Sequence, residues 1–248
     1  MTPGATGTRG EPAGRAAFRQ EPDRLVLSNP LVSLAFSSSD GAVVSLYDRR
    51  AQTELVDFSE AFADGVLWRC RVLSADGQSV ALTSRNCAEF SHSMEADPGG
   101  GIRLRFVWSG LRAGAEAVDG TVTASISFPA GGSTVWMDLT AQIPGHLLLD
   151  SFDFPCVSAL GAADLLSDEA LFLPLSNGVL VSEPRAALSR RGGTGACEAI
   201  YPGPASVQFC GFSVADRSTV WLGSGDNSGA RKSLAVESSP LSGRISLR

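Results

Sequence analysis

Strict alternation of apolar and polar side chains is the strongest constraint that this sequence places on its fold. The clearest run follows a turn made of Asp97, Pro98 and three glycines. In it, Ile102, Phe106 and Trp108 belong to an every-second-residue apolar series, with arginine or valine between them. Side chains that recur with a period of two face one side of a β-strand. The run therefore predicts a strand with one buried face.

Similar short runs, each bounded by Gly, Pro, Asp or Ser, recur along the chain and predict more than a dozen strands. They are expected at Arg24–Leu27, Val32–Phe36, Val43–Tyr47, Val66–Leu73, Val80–Leu82, Glu89–Met94, Ile102–Trp108, Val122–Phe128, Thr134–Thr140, Leu147–Phe154, Leu171–Leu173, Val179–Val181, Ser206–Val214, Thr219–Gly223, Ser233–Val236 and Ile245–Leu247. Only Ser59–Asp64 and Ala159–Glu169 are expected to form single helical turns.

Many short strands with regular turns are typical of a sandwich or barrel. The number of predicted strands is larger than the seven of an immunoglobulin sandwich. The predicted class is all-β, a large antiparallel assembly of two sheets that forms one domain over residues 24–248. Residues 1–23 contain few large apolar side chains, so we expect them to form a disordered tail.

Composition excludes several classes of function. The formal net charge is −6, which argues against a nucleic-acid partner. Five cysteines without a CxxC motif and only two histidines predict buried thiols, with no metal and no cofactor. No apolar run is long enough to span a membrane, and no secretory signal is visible. We expect a cytoplasmic protein, or an extracellular one if the start is misassigned.

No complete catalytic motif is present. The chain lacks a GxSxG elbow, an HExxH helix and a phosphate-binding glycine loop. A glycosidase needs two carboxyl groups at a defined separation. Asp150 and Asp153 should point to opposite faces of a strand, and Asp168 with Glu169 suggests a solvated loop. The sequence therefore predicts no catalytic residue.

The segment from Tyr201 to Lys232 holds the best candidates for a binding site, because it combines aromatic side chains with polar loop residues. Sugar sites place a flat apolar surface beside a few fixed polar groups. The candidate carbohydrate-binding residues are Tyr201, Gln208, Trp221, Asp226 and Lys232. Two alternatives remain open. Asp226–Gly229 is also a typical turn sequence, and Phe209 and Trp221 would equally suit a core.

This segment resembles a group of bacterial glycoside-hydrolase-like proteins. Tyr201–Gly203, Ala205–Ser206 and Gln208–Phe209 are similar to the group's "YPG.ASMQF" segment, and Val220–Gly229 with Lys232 is similar to "YLGTHDPEG..K". Further similar segments are Leu31–Asp48, Ser151–Pro155 and Leu171–Gly178. The histidine of "THD" is replaced in Ser224-Gly225-Asp226.

The resemblance implies a β-supersandwich of the galactose-mutarotase-like type, packed against a catalytic (β/α)8 barrel that carries the catalytic carboxylates. The expected function is a non-catalytic, carbohydrate-related accessory domain of a glycoside hydrolase. Its partners would be an oligo- or polysaccharide and a (β/α)8 barrel domain or chain. The alternatives are an aldose-epimerase-like or lyase-like enzyme with its own site, and a stand-alone sugar-binding protein.

Overall fold

The computed structural model describes residues 15–113, 116–161, 168–189, 195–214, 217–226, 231–239 and 244–248. The strands are β1 (Ala17–Gln20), β2 (Arg24–Ser28), β3 (Val32–Ser37), β4 (Val43–Asp48), β5 (Thr53–Glu54), β6 (Arg69–Leu73), β7 (Ser79–Thr83), β8 (Cys87–Ala96), β9 (Ile102–Ala113), β10 (Glu116–Phe128), β11 (Trp136–Gln142), β12 (Leu148–Asp153), β13 (Val157–Leu160), β14 (Glu169–Leu173), β15 (Val179–Ser182), β16 (Ala196–Tyr201), β17 (Phe209–Val214), β18 (Ser218–Gly223), β19 (Lys232–Ser238) and β20 (Ile245–Leu247). The helices are α1 (Phe58–Asp64) and α2 (Pro184–Ser189).

The strands are hydrogen-bonded into five antiparallel sheets, so the predicted all-β class is confirmed. Their orders are β1-β2-β3-β4-β5, β11-β10-β9-β8, β12-β6-β7, β13-β20-β19-β16 and β15-β14-β17-β18. The sequence prediction had two sheets, whereas the ladders form five. Hairpin neighbours pair locally in the first two sheets, and bulges such as the one at Leu149/Ser151 interrupt several ladders.

The expectation of disorder is wrong for the part of residues 1–23 that the structure describes. Ala17–Gln20 pairs along its whole length with β2, and Phe18 packs against the core. The ladder with β2 gives this segment hydrogen-bond partners for its backbone, and Phe18 anchors it to the core. Residues 1–14 lie outside the described residues.

Of the two predicted helical turns, one is confirmed and the other is wrong. A helix does form at the predicted Ser59–Asp64 turn, where the Asp57 side chain accepts a hydrogen bond from the Glu60 backbone N–H. The predicted turn at Ala159–Glu169 is wrong at both ends, which belong to β13 and β14. Residues 162–167 between them lie outside the described residues. Helix α2 and strands β5, β13 and β16 were not predicted.

The core is one continuous cluster of buried side chains with members from all five sheets. The predicted alternation holds in β9, where Leu104, Phe106 and Trp108 are fully buried. Trp108 packs edge-on against Trp68 at 5.8 Å between ring centroids, and its indole N–H donates to the Asp40 carbonyl at 2.9 Å. The division of the chain into one domain over residues 24–248 stays a prediction.

A buried ion pair corrects the prediction that Glu169 lies in a solvated loop. Glu169 is the first residue of β14 and its side chain is 1% exposed. Arg185 of α2 donates to both of its carboxylate oxygens, at 2.5 and 2.6 Å. The pair ties α2 to the sheet because both charges are satisfied away from water.

Cysteines behave as the sequence predicts. Three are buried, two are half-buried and all five are free. Within the described residues, no group of three or more His, Cys, Asp or Glu side chains is placed to hold a metal ion. Helices α1 and α2, which belong to the described part of the chain, are both too short to cross a membrane.

Candidate functional site

A cleft of about 630 Å³ lies beside strand β18 and is lined by Phe209 and Trp221, two of the aromatic residues that the sequence singled out. Strands β3 and β4 form one wall, the start of β11 forms another, and β18 with the segment after it forms the third. Both β18 and β11 stand at the end of their sheets in strand order. A concavity of this size is within the range of small-molecule sites.

Trp221 forms a fixed aromatic surface at the rim of this cleft. It is 56% exposed, and its register partner across the ladder is Gly211. A β-carbon on Gly211 would lie 2.5 Å from ring atoms Cε3 and Cζ3 of Trp221. The indole therefore lies directly on the bare backbone of Gly211, and the glycine is buried beneath it. One part of the ring is held by the sheet and the rest faces solvent.

Two phenylalanines hold this indole in place from the side. Phe209 meets Trp221 edge-on at 5.3 Å between ring centroids, and Phe172 meets it at 5.6 Å. The two phenylalanines stack on each other at 5.6 Å with planes 21° apart. Edge-to-face and offset contacts are the preferred arrangements of aromatic pairs. The three rings form a rigid cluster on the outer face of the sheet.

Trp136 is a second exposed tryptophan at the same rim, and sequence reasoning did not propose it. It is 62% exposed and begins β11. A β-carbon on Gly225 would lie 2.9 Å from its Cζ3 atom, so the indole leans on the segment that follows β18. Segment 223–225 and the two tryptophans all line the cleft, with Trp136 on the wall formed by β11 and Trp221 on the wall formed by β18.

Gln208 is one of the described residues that line this cleft. Its backbone carbonyl accepts a hydrogen bond from the Ser224 N–H at 2.9 Å, which fixes it beside the tip of β18. Its side-chain Oε1 atom is buried and has no hydrogen-bond partner among the described residues. A buried acceptor without a donor costs stability, and a ligand in the cleft does not reach this shielded atom.

Asp48 is the only carboxylate among the described residues that line the cleft. Ser218 donates to its Oδ2 at 2.9 Å, and the backbone N–H groups of Arg50 and Ala51 donate to its Oδ1. Burial raises the pKa of Asp48, but these hydrogen bonds outweigh burial and the net pKa is lowered. The group is ionised and its lone pairs are occupied, which suits a structural role and not a general base.

The structure brings together only some of the predicted site residues. Gln208 and Trp221 line the cleft. Lys232 begins β19, and its ammonium group lies 2.9 Å from Asp226 Oδ2, so the pair closes the connection between β18 and β19. Tyr201 ends β16 opposite Lys232 in the ladder and is not among the described cleft residues. Sugar contact by these three residues stays a prediction. The predicted turn at Asp226–Gly229 lies, apart from Asp226, outside the described residues.

A signal for Trp136 was available in the sequence. In β11 the half-buried side chains are Met137, Leu139 and Ala141, which pack against the core, so Trp136 falls in the polar series with Asp138. The alternation alone therefore places the Trp136 indole on the solvent side of the strand.

Comparison with known proteins assigns no family, since neither the protein-family models nor the curated proteins contain a match to this chain. The resemblance to glycoside-hydrolase-like proteins therefore stays a prediction. Any functional proposal depends on the geometry of the cleft.

Proposed function

We propose that this chain is a carbohydrate-binding accessory domain and that the cleft between Trp136 and Trp221 is its sugar site. The observation that carries the proposal is the indole of Trp221, seated on Gly211 and open to solvent at the rim of a 630 Å³ cleft. Sugar rings present flat C–H faces that stack on such surfaces. Because the Trp221 indole is already held in place, it loses little conformational entropy when a sugar stacks on it.

The chemistry of the cleft supports binding in preference to catalysis. Glycoside hydrolysis needs two carboxyl groups on either side of the scissile bond. The described lining provides Asp48 alone, and its oxygens are engaged. An epimerase would need a general base such as histidine, whereas His92 lies in β8 and His146 in the turn before β12, outside the described lining.

We further propose that the five sheets together form the β-supersandwich of galactose-mutarotase-like domains. In that arrangement a (β/α)8 barrel, in the same protein or in another chain, would supply the hydrolytic carboxylates. The shared core beneath all five sheets supports this arrangement. A stand-alone sugar-binding protein would use the same cleft.

Calorimetric titration of the purified chain with a panel of neutral mono- and oligosaccharides tests the proposal, with a mutarotation assay in parallel. Trp221→Ala and Trp136→Ala should each weaken binding at least tenfold, about 1.4 kcal/mol. Leu148→Ala is the matched control, because Leu148 is an exposed apolar residue on a strand of another sheet. Absence of binding at millimolar sugar would refute the proposal. Mutarotase activity would favour the epimerase alternative.

A further inference from the structure

The floor of the sugar cleft is more apolar than a sugar ring requires. Its described side chains include Val32, Leu46, Met137, Val220 and Leu222. All five are half-buried and pack against the core. Each therefore keeps part of its apolar surface uncovered. Uncovered apolar surface inside a concave site favours an apolar ligand group that removes it from water.

The charges of the same cleft offer no partner to an anionic ligand group, and they offer a cationic one only a carboxylate that is already hydrogen-bonded. Lysine, arginine and histidine are absent from its described lining, and the single carboxylate, Asp48, is satisfied by Ser218 and two backbone amides. An anionic ligand would find no counter-charge there, and a cationic one would have to compete with those hydrogen bonds. The other polar side chains of the described lining are neutral, Thr134 and Ser224 among them.

The aromatic rim and the aliphatic floor thus suit two different parts of one molecule. The exposed faces of Trp136 and Trp221 fit a sugar ring, and the floor between β4, β11 and β18 fits a hydrocarbon group attached to it. We infer that the cleft takes a neutral glycoside with an apolar aglycone, in preference to the corresponding free sugar. This inference rests on the proposed sugar site and specifies its ligand.

Matched glycosides test the inference. The purified chain is titrated with methyl and octyl β-glucopyranoside, methyl and octyl β-galactopyranoside, and the sugar-free octyl tetraethylene glycol ether, each below its micelle concentration. Each buried methylene tightens binding about fourfold. If two methylenes of the octyl chain are buried on the floor, the octyl glycoside should bind at least tenfold more tightly than the methyl glycoside of the same sugar. The sugar-free ether should bind more weakly than the better octyl glycoside.

A floor variant separates the cleft from nonspecific detergent binding. Val220→Thr places a hydroxyl on the floor with little change of shape and should reduce the ratio of octyl to methyl glycoside affinity at least threefold. Val179→Thr is the control, because Val179 is 40% exposed on β15 and lies outside the described lining. Circular dichroism verifies that both variants fold.

The possible failures are distinguishable. Equal affinity for methyl and octyl glycosides would overturn the inference and leave the sugar site intact. Binding of the octyl ether without any glycoside binding would overturn the proposed function itself. An octyl preference that Val220→Thr leaves unchanged would place the alkyl group elsewhere and also overturn the inference.

Discussion

Replacing Gly211 with alanine tests whether Trp221 depends on the bare backbone beneath it. The new β-carbon would lie 2.5 Å from two atoms of the indole, whereas ordinary contacts begin near 3.4 Å. The ring must therefore move by about 1 Å or swing out of the aromatic cluster. Gly211 does not adopt a left-handed backbone conformation, so alanine causes no backbone strain there. The effect of Gly211→Ala therefore measures the contact between the new β-carbon and the Trp221 indole.

The cost can be bounded from the burial of the ring. Trp221 is 56% exposed, so roughly 110 Å² of a side chain that can bury up to about 250 Å² is covered. At about 25 cal/mol per Å², complete displacement would cost about 3 kcal/mol. We expect a loss of about 1–3 kcal/mol in the free energy of unfolding, and weaker sugar binding because the platform moves.

Urea unfolding followed by circular dichroism, with calorimetric titration of the sugar that binds best, measures both effects. Gly145→Ala is the control, since a β-carbon there meets nothing within 4 Å, and it should leave both quantities unchanged. If Gly211→Ala retained wild-type stability and wild-type affinity, the indole would not be seated on Gly211 as described.

Three further predictions concern stability and reactivity. Glu169→Ala should cost about 3 kcal/mol or more, because Arg185 loses its buried carboxylate. A double leucine replacement of the pair should recover most of that loss in urea unfolding. Burial raises the pKa of Glu237, but Arg248 and Arg69 outweigh it and the net pKa is lowered. Stability present above about pH 4.5 should therefore fall as pH drops below that value, and Glu237→Gln should flatten the fall. A thiol reagent should leave three cysteines unlabelled until the protein is denatured, because burial raises their pKa to about 11 or 12. These are Cys70, Cys156 and Cys210.

Local patterns predicted most of the longer strands, whereas the short strands β1 and β5 were missed although they pair with sequence neighbours. The hairpin β3–β4 follows from two β-rich runs joined by the Asp40-Gly41 turn, and both strands form as expected. Strand β16 was missed because its partner is β19, more than thirty residues later in the chain. Its own sequence, Ala196–Tyr201, does not alternate. Such a strand is stabilised by a ladder that only the tertiary structure supplies.

The candidate site was only partly predictable, because some of its contacts join residues that are far apart in the sequence. Sequence identified Trp221 as either core or ligand-facing, and the choice depends on its register partner, Gly211. The approach of Trp136 to Gly225 joins residues almost ninety positions apart, which no local pattern shows. Similarly, turn propensity at Asp226 gave no indication that Lys232 pairs with it.

The most direct test of the sugar site observes the four tryptophan indole N–H groups by NMR in a tryptophan-labelled sample. Trp68 and Trp108 are fully buried in the core, whereas Trp136 and Trp221 are exposed at the cleft. Addition of a binding sugar should shift the signals of Trp136 and Trp221 in a saturable way and leave the two core signals in place. Assignment by Trp136→Phe and Trp221→Phe identifies each signal. No shift at either cleft tryptophan, while sugar binding is detected calorimetrically, would contradict the proposal that this cleft is the site.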